Sequence, residues 1–299
     1  MVKTDNIIYR PAEESDVDQM AELMNKQYSR KKDKNYFIWQ YLRSPIPSIS
    51  FCAFYKDSLI GISGIQKKKL ENGLNLGHAI DSIVLPEWRG KGVFQKLCNN
   101  ALNYFTNLDG LYAFTNLPGT NAYIKHFNWR KVYKISSYLL TINNLNKNID
   151  CSNYNSFYTT KYKFRYDDSY RDWRFFHNPE YVYHYIYITE QVFSVVKLFT
   201  DPSTQRIYGD IVDFHYEGCN AAQIADLISL SCDKLFQLGC EVITTWSLPS
   251  MLLTAILKKM GFFMDFQERY FIMNVLNENV KDMYDINNWH IVQADAELY

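Results

Sequence analysis

The stretch that most restricts how this chain can fold is residues 80–97, IDSIVLPEWRGKGVFQKL. An apolar run, Ile83, Val84 and Leu85, stops at Pro86, and two glycines, Gly90 and Gly92, then alternate with the cations Arg89 and Lys91. Val93, Phe94, Leu97 and Leu102 follow at the spacing of one helix face. A strand, a cationic glycine turn and a helix start present unpaired backbone N–H groups and the positive end of a helix dipole, which together cradle phosphate. A Walker-type loop is excluded, because no Lys-Ser or Lys-Thr pair follows the last glycine.

An anion here must be held by that local site, because the formal net charge is zero, 32 Lys and Arg against 32 Asp and Glu. General attraction to nucleic acid or to an anionic membrane surface is thereby removed. The six cysteines contain no C-x-x-C pair and form no ligand cluster with the six histidines, so no metal is expected. The first residues lack the apolar core of a signal peptide, and no run approaches the ~18 apolar residues of a membrane helix. The expectation is a cytoplasmic protein with free thiols and no membrane insertion. Its 24 Tyr could line a sugar or nucleotide pocket, but strand and core positions are the expected place for most of them.

Periodicity predicts a strand at residues 7–10, then an amphipathic helix over 11–28 with Ser15 or Asp16 as its cap, and a second helix over 33–42. Strands follow at 50–55, 59–67 and 76–85, with a strand at 110–116 after the glycine-loop helix. A helix from Leu117 to about Phe127 leads into a last strand pair ending near Thr141, and the polar, Asn-rich residues 143–155 read as a linker. The predicted order is β-α-α-β-β-β-α-β-α-β.

Beyond the linker the plan repeats. Trp39, Tyr41 and Pro45 are matched in spacing by Trp173, Phe175 and Pro179, and Leu117-Pro118 by Leu248-Pro249. Pro45 and Pro118 are 73 residues apart, and Pro179 and Pro249 are 70 apart. Two landmarks at nearly one separation indicate a duplicated unit. Where the glycine loop should recur, residues 213–223 hold one glycine and no Lys or Arg, so the second copy is expected to bind no phosphate and to serve as scaffold or as a wall of the acceptor site.

Arg89-Gly90-Lys91-Gly92-Val93-Phe94, preceded by Val84-Leu85-Pro86, resembles the pyrophosphate loop of the GNAT superfamily of acyl-CoA-dependent N-acyltransferases. The opening residues 10–16 resemble that family's first strand and helix, and residues 257–262 resemble the end of its penultimate helix. The resemblance implies an α/β protein of two GNAT-like domains, each a mixed central β-sheet flanked by helices: residues 1–142 with the acyl-CoA site, a linker at 143–160, and a degenerate domain at 161–299. It departs from the family at Phe94, where Gly or Ala is usual. Aligning Asn128-Trp129 with the family's Gly-Phe puts Ile124 where a tyrosine commonly protonates the departing thiolate, with Tyr123 one residue away.

The resemblance further implies direct transfer of an acyl group, most simply acetyl from acetyl-CoA, to the amine of a small acceptor. Two-domain members resemble proteins of surface-polysaccharide synthesis, which suggests an amino sugar, free or nucleotide-linked. Backbone along Ile83, Val84 and Leu85 would hold pantetheine, with the N–H groups of Val84 and Leu85 on the thioester oxygen. Residues Arg89 to Phe94 would take the diphosphate, and Asn116 and Asn121 could reach the pantetheine amides or cap a helix. An ammonium has no lone pair, so a base is required. Asp81 and His78 are the candidates, on opposite faces of a regular strand unless a bulge intervenes. Asp81 is equally readable as a structural hydrogen-bonder, and His78 as a surface residue at a strand end. Tyr123 is the candidate acid. Transfer of an aminoacyl group from tRNA to a cell-wall peptide, and a non-catalytic CoA-binding role, are the alternatives.

Overall fold

The computed structural model describes residues 6–28, 31–152 and 160–297, the side chains of 266 and 267 excepted. The part of the expected linker at 153–159 lies outside the described residues. The first half runs β1 (Ile7–Pro11), α1 (Val17–Gln27), α2 (Lys34–Phe37), β2 (Ser48–Tyr55), β3 (Ser58–Lys69), β4 (Asn75–Val84), α3 (Val93–Leu102), β5 (Gly110–Thr115), α4 (Leu117–Phe127) and β6 (Arg130–Thr141). The second half repeats it from α2 onward: α5 (Asp168–Arg171), β7 (Tyr183–Thr189), β8 (Val192–Thr200), β9 (Ile207–His215), α6 (Ala221–Gln237), β10 (Val242–Trp246), α7 (Leu252–Lys259) and β11 (Phe263–Val275). This is the expected α/β architecture.

Two local expectations need correction. The first helix starts at Val17, because Pro11 ends β1 opposite Phe51 and the Asp16 carboxylate is already engaged. It accepts from Arg10 at 2.6 and 2.8 Å and from the Glu13 N–H at 2.8 Å, so it does not cap α1. The expected strand pair before residue 141 is a single strand, β6, whose partners come from elsewhere in the chain.

Those partners join the halves. All eleven strands form one sheet in the order β1-β2-β3-β4-β5-β11-β6-β10-β9-β8-β7. β11, from the second half, pairs antiparallel with β5, while β6, from the first, pairs antiparallel with β10. Each half completes the other's sheet, and a division of the chain at residue 142 does not divide the sheet.

The repeated tryptophans mark the seam. Each sits on a short π-helical turn, residues 38–42 and 172–176, which places its indole toward the other half. The rings stack at 4.3 Å and 14°. Trp39 Nε1 donates to the Trp173 carbonyl at 2.9 Å, and Trp173 Nε1 to the Trp39 carbonyl at 3.0 Å. A contact in which residue i bonds j and j bonds i is what a two-fold relation between the halves produces. Alongside it, Lys32 pairs with Glu180 in a nearly buried ion pair across the seam.

Candidate active site

The site begins with a defect in β4. Ile62 of β3 faces Ile83 and Gly64 faces Ile80, so Asp81 and Ser82 both lie opposite Ser63. This is a β-bulge, and Asp81 takes the left-handed conformation, φ +47°. β4 pairs in parallel with β5 only from Leu76 to His78. Beyond the bulge the strands part, and a cleft of ≈ 340 Å³ opens between them. Asp81, Ser82, Ile83, Phe94, Asn116 and Tyr123 are all on its wall.

Asp81 is held in place by Tyr41, whose hydroxyl donates to Oδ2 at 2.8 Å. Gly64 makes that reach possible, since a Cβ there would collide with the Tyr41 hydroxyl. Burial pushes the Asp81 carboxyl above its ordinary value, against the pull of Lys32 and of the Tyr41 hydrogen bond. On the facing wall Tyr123 is buried, while Ile124 points outward, 41% exposed. Geometry thus puts Tyr123, and not its neighbour, at the cleft. Its hydroxyl lies 3.0 Å from Ser82 Oγ, and its ring packs against Phe94 and Trp129, so Phe94 supports it edge-on.

The glycine loop precedes α3, whose second residue, Phe94, is on the cleft wall. Gly90 and Gly92 have φ of +73° and +80°, and nothing approaches the position a Cβ would occupy at either. Gly92 precedes α3 with no side chain capping the helix, and the first helical bond runs from the Lys96 N–H to the Gly92 carbonyl. The N–H groups of Val93, Phe94 and Gln95 therefore have no partner within the helix. Val93 itself is anchored in the core beneath the loop. Arg89 braces the loop from outside, Nε on the Val84 carbonyl at 3.0 Å and one Nη on Gln27 at 2.9 Å, and the Lys91 ammonium stands 4.9 Å over the Trp88 ring. The counterpart in the second half is closed: at the start of α6, Asn220 and Gln223 satisfy each other's backbone N–H at 3.0 Å.

Three expected roles are altered, and Asn116 takes one of the two expected of it. The Leu85 N–H is engaged by the Ile60 carbonyl at 3.0 Å, so it is not free for a thioester oxygen. By the alternation of an antiparallel pair, Val84 then directs its N–H to the side where β5 departs. Asn116 lines the cleft but caps α4, accepting from the Gly119 N–H at 2.9 Å. Asn121 is exposed and is not on the cleft wall. His78 is not a surface residue but 1% exposed, its ring stacked on Tyr112 at 4.3 Å. Burial, with Lys68 and Arg174 nearby, keeps it neutral by lowering its pKa well below the ordinary value.

Among the wall residues that the sequence reading missed, two ionisable ones come from the second half: Arg269 on β11 and Glu297. Glu297 is delivered by residues 289–297, which are fastened to the rest of the second half. The Trp289 Nε1–H bonds the Met283 carbonyl at 2.8 Å, the Val292 N–H bonds Asp295 at 2.7 Å, and Arg174 bonds the Ala296 carbonyl at 2.9 Å. Tyr166 also donates to Asp295. Glu297 Oε2 ends 3.5 Å from His78 Nε2. Burial, and then the charge of Asp81, raise the Glu297 pKa to about 7.

Among the described residues no cluster of His, Cys, Asp and Glu fits a metal ion, and no helix is long and apolar enough to cross a membrane. No curated protein matches the sequence. Residues 17–128 match the Acetyltransferase (GNAT) family. A GCN5-related N-acetyltransferase from Anabaena variabilis superposes with a TM-score of 0.63 at 11% identity, over 91% of this chain and 73% of that one. A putative acetyltransferase from Pyrococcus horikoshii gives 0.55 at 12% identity, over 92% and 91%. A glucosamine N-acetyltransferase region of a fungal multi-domain beta-N-acetylglucosaminidase gives 0.57 at 12% identity, over 91% of this chain and 38% of that one. The family match falls on the half that holds the bulge, the loop and the cleft, and the structural likeness extends across both halves. The likeness to the GNAT family of acetyltransferases is carried in sequence by residues 17–128.

Proposed function

We propose that the protein is an N-acetyltransferase that moves an acetyl group from acetyl-CoA to the primary amine of a small acceptor. The observation that carries this reading is the cleft itself: two carboxylates, Asp81 and Glu297, and a buried tyrosine hydroxyl stand on its walls, beside an uncapped helix end behind two open glycines. The unpaired N–H groups at the start of α3 fit a diphosphate, with Lys91 adding charge and Arg89 fixing the loop's shape. Bound there, acetyl-CoA supplies the thioester.

The rest is done by the chain's own groups. An acceptor ammonium entering between Asp81 and Glu297 is attracted by Asp81 and gives its proton to Glu297, which accepts it near neutral pH. His78, buried and neutral, stands with Nε2 3.5 Å from Glu297 Oε2 without a hydrogen bond between them, and forms the wall behind that carboxylate. The Val84 N–H stabilises the oxyanion, and Tyr123 protonates the departing thiolate. Arg269 and Glu297 give the second half the role of acceptor-site wall, while the capping box at α6 leaves it no phosphate site of this kind. Our favoured acceptor class is an amino sugar, in line with the name of the fungal glucosamine N-acetyltransferase region.

A thiol-release assay with acetyl-CoA across amino sugars, nucleotide-linked amino sugars, aminoglycosides and polyamines tests the reading. Stoichiometric release of CoA with an N-acetylated product is expected. Binding of acetyl-CoA without turnover of any amine would leave a CoA-binding protein instead.

A further inference from the structure

Arg269 stands on β11, the strand that the second half adds to the first half's sheet. It follows the irregular stretch after Asp265, where the pairing with β6 changes register, and it precedes Tyr270, which faces Thr115 at the end of β5. This puts its side chain on the wall of the acetyl-transfer cleft. Its Nε is closed off from solvent and has no hydrogen-bond partner, and among the described residues the guanidinium forms no ion pair. The Trp246 ring, 6.0 Å from the guanidinium carbon, offers a face but no acceptor. The other cation of the cleft, Lys32, differs in being paired with Glu180.

A buried guanidinium donor without an acceptor is costly, and a ligand oxygen is the ordinary way to satisfy it. The planar fork of arginine matches the two oxygens of a carboxylate or phosphate. The same cleft holds Asp81 and Glu297, which suit an ammonium. A simple amine would satisfy the carboxylates and leave Arg269 bare, and a polyamine would meet its charge head-on.

We propose that Arg269 binds an anionic group of the acceptor, so that the acceptor is a zwitterion: a primary amine that carries a carboxylate or a phosphate on the same small molecule. The inference rests on the transferase reading of this cleft and narrows its substrate class. It also gives the strand exchange a use, since β11 carries the specificity residue into the first half.

Calorimetric titration of the full chain saturated with CoA, using matched probes, tests it. Glucosamine is compared with glucosamine 6-phosphate, and ethanolamine with glycine and phosphoethanolamine. The wild-type protein should bind the anionic member of at least one set about 10- to 100-fold more tightly, the range of a charge-assisted contact. Which anion is preferred separates carboxylate from phosphate. R269Q should abolish that preference while changing affinity for the neutral member less than about threefold, and R269K should restore part of it. Neutral and anionic probes binding equally, R269Q weakening both alike, or no probe binding at all would overturn the proposal. Thiol release is read separately: anionic amines that bind but release no CoA would defeat the transferase reading and leave the anion site standing.

Discussion

Glu297→Gln tests the chemistry most directly. The side chain is 12% exposed, and its pKa rises from 4.5 to about 7, with burial as the larger cause and the Asp81 charge as the second; Arg269 and Lys32 pull the other way. That difference is worth about 3 kcal/mol in favour of the neutral form. As a base, Glu297 must be ionised, so kcat/KM should climb about tenfold per pH unit below 7 and level off above it. The glutamine variant should lose that limb and roughly 10²-fold or more in turnover, with acetyl-CoA affinity unchanged. Stability should move the opposite way. The folded state keeps this proton up to about pH 7, whereas the unfolded chain releases it near 4.5. Folding stability from this group therefore falls as pH rises through that window and stays low above it. Denaturant unfolding at pH 8 should find Glu297→Gln more stable than wild type, by up to about 3 kcal/mol. Asp81→Asn removes a charge that raises Glu297 and should shift the limb to lower pH. A glutamine variant with wild-type kcat/KM and an intact limb near pH 7 would refute the assignment.

Three further outcomes are expected. Gly92→Ala puts a Cβ on a residue with φ +80°, which costs about 1–2 kcal/mol and disturbs the start of α3; calorimetry should show acetyl-CoA affinity falling, and unchanged affinity would remove the loop from CoA binding. Tyr123→Phe should lower kcat without altering acetyl-CoA affinity, and an undiminished kcat would mean that the thiolate leaves without this acid. Trp39→Ala should cost about 3–5 kcal/mol in urea unfolding, as should Trp173→Ala, and the double variant should cost clearly less than the sum, since the two indole rings stack on each other and either truncation removes that contact. Strict additivity would argue against a coupled pair.

What was legible in the sequence was local. The glycine loop, the strand order of the first half and the spacing of the two tryptophans all lie in short windows, where hydrophobic period and turn chemistry speak directly. Exchange of β6 and β11 was not legible, because either strand reads the same whichever half supplies its neighbour. Asp81 was readable as a carboxylate among apolar residues, but the bulge that turns it into the cleft depends on the pairing of Ser63, a residue with no signal of its own. Glu297 could not be placed at all. It lies more than 200 residues from β4 in sequence, and it reaches the cleft only because Trp289, Asp295 and Arg174 fix the backbone before it.

The start of α6 in the second half is closed by its capping box, yet the cleft depends on that half. Without β11 the edge of β5 would have no partner, and Arg269 would be absent from the wall. Without residues 289–297 the cleft would keep Asp81 and Tyr123 but lose the carboxylate whose pKa lies nearest neutrality. Reciprocal tryptophans and exchanged strands join the two halves, and the cleft takes residues from both, so a destabilised seam should be felt in catalysis before the first half's own core gives way. In mild denaturant, Trp173→Ala should therefore lose acetyl transfer at a lower concentration than it loses the fluorescence change of global unfolding. Coincident transitions would show that the seam and the core of the first half yield together.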